Sequence, residues 1–188
     1  MNGILEILTG ANRFRQIRAF FSSKKRNPFF YFFAGSAVFT ADQLLKSSIE
    51  RQPDDTFPRD VPGTNGVMRY EKCRNRGFML GAMQEHGDLV KMVPAVCTAL
   101  LSGRLWEMLF HERGRHGEKL GLTLIVSGAL SNLWDRLWRG YVVDYVSIKK
   151  GFLRKIVINL GDAAIFAGGC CLFAAALWNM IRGSRGIE

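Results

Sequence analysis

The stretch Ile158-Asn159-Leu160-Gly161-Asp162-Ala163-Ala164-Ile165 puts a carboxylate at the mouth of a run of about twenty mostly apolar residues, the length a helix needs to cross a bilayer. A second acid-bearing stretch, Gly128-Ala129-Leu130-Ser131-Asn132-Leu133-Trp134-Asp135-Arg136, closes another apolar run and leads into Gly140-Tyr141-Val142-Val143-Asp144-Tyr145. An ionised carboxylate in hydrocarbon costs several kcal/mol, so acids in such places do chemistry, move ions or pair with a cation. The pattern calls for two acids near a membrane surface.

Working outward, the same balance of apolar run and polar edge recurs along the chain. Residues 29–48 form a first candidate span carrying Asp42 and Lys46, one helical turn apart and able to pair. Residues 89–110 form a second, in which Arg104 and Glu107 are placed to pair. Residues 120–138 form a third, where Gly121, Ser127, Gly128, Ala129 and Ser131 permit close helix packing. Residues 162–181 form a fourth, with Gly168 and Gly169 inside it. Between them, residues 49–88 are mostly polar and interrupted by Pro53, Pro58 and Pro62, with short mixed runs in 66–80 that suit strands. The expected fold class is an integral membrane α-helical protein: four transmembrane helices with a small β-rich extracytoplasmic subdomain at about 49–88. Residues 29–188 make up this membrane domain.

Residues 1–28 form a separate amphipathic and basic segment. Ile4, Ile7, Leu8, Ala11, Phe14, Ile17 and Phe21 recur at helical spacing, with Arg13, Arg15 and Arg18 mostly on other faces, as in a helix lying on a membrane surface. The basic cluster Lys24-Lys25-Arg26 follows the apolar positions instead of preceding them, which disfavours a cleaved signal peptide. Four spans put both termini on one side. The basic residues between Arg13 and Arg26 assign that side to the cytoplasm. Asp42, Asn75, Asp135, Asp144, Asn159 and Asp162 then all fall near the outer face.

The net charge of +10 permits a nucleic-acid binder, but no such motif is present, and basic flanks beside apolar spans suit anionic lipid better. Cys73, Cys97, Cys170 and Cys171 have neither paired CxxC spacing nor a histidine cluster beside them, which argues against a zinc site or disulfide framework. Helix packing is the expected role of Cys97, Cys170 and Cys171, and His86, His111 and His116 fall in loop-like stretches. HExxH, GxSxG, P-loop and Rossmann patterns are absent from the sequence. Two neighbouring carboxyl groups suffice for peptide hydrolysis without metal, cofactor or covalent intermediate: one stays protonated and donates to the carbonyl oxygen, while the other takes a proton from water. An ion-coupled transporter would also use acids in its spans, but nearer mid-bilayer.

Four blocks, in order, carry a resemblance: Asp42-Gln43 with Lys46; Asn75 with Gly77; Gly128-Ala129-Leu130, Asn132, Asp135-Arg136 and Val142-Val143-Asp144; and Asn159 with Asp162. In these the chain resembles signal peptidase II, a membrane aspartic endopeptidase. The resemblance implies removal of the signal peptide from diacylglyceryl-modified prolipoproteins, with cleavage before the lipidated Cys. It implies that Asp144 and Asp162 are the catalytic pair, that Asn132 and Asn159 orient them, and that Arg136 and Asn75 hold substrate backbone. Asp42, Lys46 and Asp135 would support the site. It further implies a multi-pass protein of the cell membrane, acting as a monomer, with its site near the extracytoplasmic face and with precursors and membrane lipid as partners, without metal or cofactor. A non-catalytic or diverged paralogue that binds precursors or lipid is the alternative. The chain departs from the family pattern at Leu45, Phe78-Met79-Leu80-Gly81, Ile158 and Gly161, the last adding backbone freedom beside Asp162.

Overall fold

The computed structural model describes residues 27–78, 82–149 and 156–184; the expected surface helix within residues 1–23 lies outside them. Four long helices form the body: α1 (Pro28–Glu50), α2 (Gly87–His111), α3 (His116–Trp138) and α4 (Leu160–Ser184). Two of them show in the local sequence why they start or end where they do. Pro28 occupies the first position of α1, where a missing N–H costs nothing, and the Asn27 side chain caps the helix by accepting from Phe29 N at 3.1 Å. α3 ends at Gly140, whose φ of +78° is the left-handed conformation that terminates a helix, and the Arg139 and Gly140 amides both turn back to the Asp135 carbonyl.

α2 and the Leu160–Ile181 part of α4 are long and apolar enough to cross a membrane. Phe33, Leu100, Phe166 and Phe173 are each at least 70% exposed, a surface that water would penalise and lipid accepts. The protein is accordingly a membrane protein.

α3 and α4 meet through glycines spaced seven residues apart on both helices. A Cβ on Gly128 would lie 2.2 Å from the Gly161 carbonyl, and one on Gly168 would lie 2.5 Å from the Gly121 carbonyl. The expected small-residue packing of α3 is therefore real, and its partner is α4. Cys97 and Cys170, in contrast, face outward, so they do not serve helix packing, and Cys171 is only half-buried. His116 is no loop residue: it opens α3, is buried, and its Nδ1 lies 2.6 Å from the Tyr31 hydroxyl.

At one end of the helices sits an antiparallel sheet of order β1-β2-β3-β4, formed by Arg59–Asp60, Met68–Asn75, Val142–Ile148 and Val157–Ile158. Strands in 66–80 were expected; those in 142–158 were not, and they supply half the sheet. The run Val142-Val143-Asp144-Tyr145-Val146 is β-branched and aromatic, as strands favour. Val143 and Tyr145 pack with Ile49 at the end of α1 to form the core beneath the sheet. β2 bulges between Tyr70 and Cys73, after which Cys73 pairs with Asp144 and Asn75 with Val142.

Overpacking a helix contact costs about 1–3 kcal/mol, whereas Gly→Ala in an open helical position gains up to about 1 kcal/mol. Gly128→Ala is expected to lower the melting temperature in detergent by several degrees. Gly169→Ala, whose Cβ would meet nothing within 4 Å, is expected to leave it unchanged or raise it.

Candidate active site

The site is built around Lys46, whose side chain is fully buried in α1. Its ammonium lies 2.8 Å from Asp42 Oδ2 and 3.1 Å from Asp135 Oδ2, and it donates to Asn132 Oδ1 at 2.9 Å. Ser131 Oγ donates to Asp42 Oδ2 at 2.6 Å. Asp135 also pairs with Arg139 and accepts from Val143 N at 3.2 Å, which fastens β3 to the end of α3. Gln43 Nε2 reaches Ser131 Oγ and Asp135 Oδ1. Two acids are thus matched by two bases, and α1, α3 and β3 converge on one neutral cluster.

Lysine offers donors only, so Asn132 must turn its oxygen to Lys46 and its amide nitrogen away. That nitrogen donates to Asp162 Oδ1 at 2.8 Å. Asn159 is fixed in the same way. Its Nδ2 donates to Asn132 Oδ1 at 3.0 Å and to Asp144 Oδ1 at 2.7 Å, while its Oδ1 accepts from Asp162 N at 2.8 Å. Asp144 and Asp162 are therefore joined through a continuous pair of asparagines. Asp144 also accepts from Asn75 Nδ2 at 3.2 Å, a diagonal contact across the β2–β3 pair.

The Asn159-Leu160-Gly161-Asp162 stretch is a reciprocal helix cap. Asn159 Oδ1 takes the Asp162 amide, and Asp162 Oδ2 takes the Asn159 amide at 3.2 Å. The carboxylate at the N-terminus of α4 is held by the cap it helps to close. Gly161 has little of the backbone freedom expected of it. It is clamped inside this cap, and a Cβ there would already lie 3.0 Å from Asp42 Oδ2 and 3.1 Å from the Gly128 carbonyl.

Arg136 Nη2 donates to the Gly77 carbonyl at 3.1 Å and Nη1 to the Asn132 carbonyl at 3.3 Å. Its Nε is buried without a partner among the described residues. Asn75 Oδ1 accepts from Gly77 N at 3.0 Å. All nine residues expected at the site thus gather in one place: Asp144, Asp162, Asn75, Asn132, Arg136, Asn159, Asp42, Lys46 and Asp135. The sequence reading missed Tyr145, Arg139 and the hydroxyl role of Ser131. Arg139 was findable, being one turn from Asp135; nothing in the pattern pointed to Tyr145.

Asp144 is only 4% exposed; burial, and after it the neighbouring Asp162 charge, push its carboxyl up to about 7, against the hydrogen bonds from Asn75 and Asn159. Asp144 stays protonated well above the ordinary carboxylate range. Among the described residues no group of His, Cys, Asp and Glu is arranged to hold a metal ion.

Residues 35–178 match the family described as signal peptidase (SPase) II. The chain belongs to the signal peptidase II family. It is a protease, and all the site residues lie inside the matched region. It is 29% identical to a lipoprotein signal peptidase of Streptococcus pneumoniae over 76% of this chain and 89% of that one. It is 30% identical to a lipoprotein signal peptidase of Sphingopyxis alaskensis over 82% and 90%, respectively. Its fold is similar to that of a solved bacterial membrane enzyme, with a TM-score of 0.70 at 19% identity, covering 84% of this chain and 93% of the other.

Removing the cation from a buried ion pair costs about 3–5 kcal/mol, because uncompensated charge remains. Lys46→Met is expected to destabilise the signal peptidase by about that much in denaturant unfolding in detergent, and to abolish cleavage, since Asn132 loses the contact that fixes its amide.

Proposed function

We propose that this signal peptidase II is a multi-pass aspartic endopeptidase of the cell membrane whose site opens near the extracytoplasmic face. It removes signal peptides from lipoprotein precursors by cutting before a diacylglyceryl-modified cysteine. The observation that carries this reading is the asparagine bridge joining Asp144 to Asp162, with a proton held on Asp144.

In this reading Asp162, at the positive end of α4, carries the charge of the pair and Asp144 carries the proton. Water between them attacks the scissile carbonyl carbon and gives its proton to Asp162, while Asp144 protonates the carbonyl oxygen. Collapse of the tetrahedral diol returns a proton to Asp144, Asp162 passes its own to the leaving nitrogen, and the C–N bond breaks. Arg136 Nε is the donor left for substrate: a buried unsatisfied donor costs about 1–3 kcal/mol, and a precursor backbone carbonyl would satisfy it. Asn75, beside Asp144 and Gly77, would hold the other side of the extended peptide.

Four spans are supported by the lengths of the helices, 23 to 25 residues each, since about twenty suffice. In α1 the charges lie toward the site end, and in α3 they sit at the two ends: Asp135 is paired at the site end, and Glu118 pairs with Arg115 at the other. Trp134 and Trp138 stack at 4.6 Å on that end of α3, and Trp138 is 74% exposed, as in an aromatic belt at a membrane–water boundary. At that depth the diacylglyceryl chains of a precursor would remain in lipid while the peptide enters the site, each buried methylene contributing about 0.8 kcal/mol. Within this frame the chain acts as a monomer, residues 49–88 are the outer subdomain, completed by 142–158, and residues 1–28 lie at the cytoplasmic side. A non-catalytic, precursor-binding relative is not favoured, because both acids and both asparagines are in place.

Asp144→Asn and Asp162→Asn are each expected to abolish cleavage of a synthetic lipidated precursor, with melting temperatures in detergent close to that of the parent protein. Cleavage at near-normal rate by either variant would eliminate the dyad. The pH dependence follows from the carboxyl held up to about 7 in the free enzyme: Asp144 is the proton donor only below that value, so kcat/KM is expected to fall as pH rises through about 7. The same raised value means that the folded state holds this proton more tightly than the unfolded chain, so the stability it contributes is full at acid pH and is lost as pH rises through about 7. Asp144→Asn is expected to flatten that stability slope.

A further inference from the structure

We infer that Tyr145 is a positioning residue for the cleavage reaction: its hydroxyl latches the first turn of α4, and with it Asp162, onto the buried carboxylate of Asp42. The inference rests on the dyad reading above, and goes beyond it by naming what sets the position of one member.

Tyr145 is 4% exposed, with its ring in the cluster of Ile49 and Val143. Its hydroxyl donates to Asp42 Oδ1 at 3.2 Å and accepts from Leu160 N at 2.9 Å. Leu160 is the first residue of α4, so its amide is one of the donors that no helical carbonyl can satisfy. The other amides around the cap, those of Asn159 and Asp162, are used within the cap itself. Tyr145 thus provides a tie from this turn to the rest of the protein that is independent of the asparagine bridge. At its other end the fit is equally specific. Asp42 Oδ2 is taken by Lys46 and Ser131, which leaves Oδ1 for the phenol.

Only a group that both donates and accepts can connect a carboxylate to an amide through one atom, and a tyrosine hydroxyl does so while its ring fills the core. Burial, and then the charge of Asp42, hold the Tyr145 phenol above its usual range, so it remains a neutral donor wherever the enzyme works. Asp162 lies two residues beyond Leu160 in the same helical turn, and any slip of the Leu160 amide is passed on to the carboxylate. Misplacement on the ångström scale is costly for a reacting group even when binding is untouched.

The test compares Tyr145→Phe with Ile49→Val, which thins the same core cluster but breaks no hydrogen bond. With a lipidated precursor peptide in detergent, Tyr145→Phe is expected to lower kcat at least about tenfold with KM within about twofold, the pattern of a displaced reacting group. Amide hydrogen exchange in peptides covering the start of α4 should speed up. Ile49→Val should lower the melting temperature while leaving kcat unchanged. Wild-type kcat in Tyr145→Phe, alongside an inactive Asp162→Asn, would overturn the latch and leave the dyad standing. Loss of kcat in Ile49→Val equal to that in Tyr145→Phe would also overturn it, by assigning the effect to core stability. Activity in Asp162→Asn would remove the dyad and the latch together.

Discussion

A single ammonium group, that of Lys46, is fully buried and finds its partners within the protein. It finds Asp42 on its own helix, Asp135 on α3 and the Asn132 oxygen between them. Replacing such a cluster by apolar residues of equal volume would be neutral or stabilising in many proteins, so stability alone does not account for it. Direction does. A lysine that can only donate forces Asn132 to present its amide nitrogen to Asp162, and Asn132 in turn fixes Asn159 and thereby Asp144. The arrangement of both acids descends from the one-sided hydrogen-bonding of a buried cation.

Backbone geometry meets this cluster from the other side. The reciprocal cap at Asn159 and Asp162 satisfies helix-end amides and aims the Asp162 carboxylate in the same pair of hydrogen bonds. The cap can approach the Lys46 cluster only because Gly128 and Gly161 let α3 and α4 come together at backbone distance. With side chains there the helices would separate, and the asparagine bridge, built from bonds of 2.7–3.0 Å, would not span the gap.

The sheet supplies the remaining wall. β2 and β3 come from segments separated by two helices, and their register, reset by the bulge after Tyr70, brings Asn75 diagonally to Asp144. Alternation along β3 then divides the labour. Val143 and Tyr145 enter the core with Ile49, while Asp144 between them turns to the site. Asp162, Asn75 and Arg136 remain partly exposed, which leaves a way in for an extended peptide.

The sequence by itself determined the long helices, because apolar runs of about twenty residues bounded by charge and proline have few other solutions. It also singled out the acids that the fold brings together, because a carboxylate beside hydrocarbon has to be explained by pairing or by chemistry. The Asp42–Lys46 pair was legible for a simple reason: residues four apart on a helix are neighbours whatever the tertiary structure. Strands β3 and β4 were not legible, because a seven-residue strand after a span acquires its partner only when β2 arrives from more than sixty residues away. Likewise, no local pattern assigns Tyr145 to Asp42 and Leu160, or Ser131 to Asp42. Those bonds join elements distant in sequence, and only the packing of α3 and β3 against α1, and of β3 against the start of α4, brings their atoms within 3.2 Å.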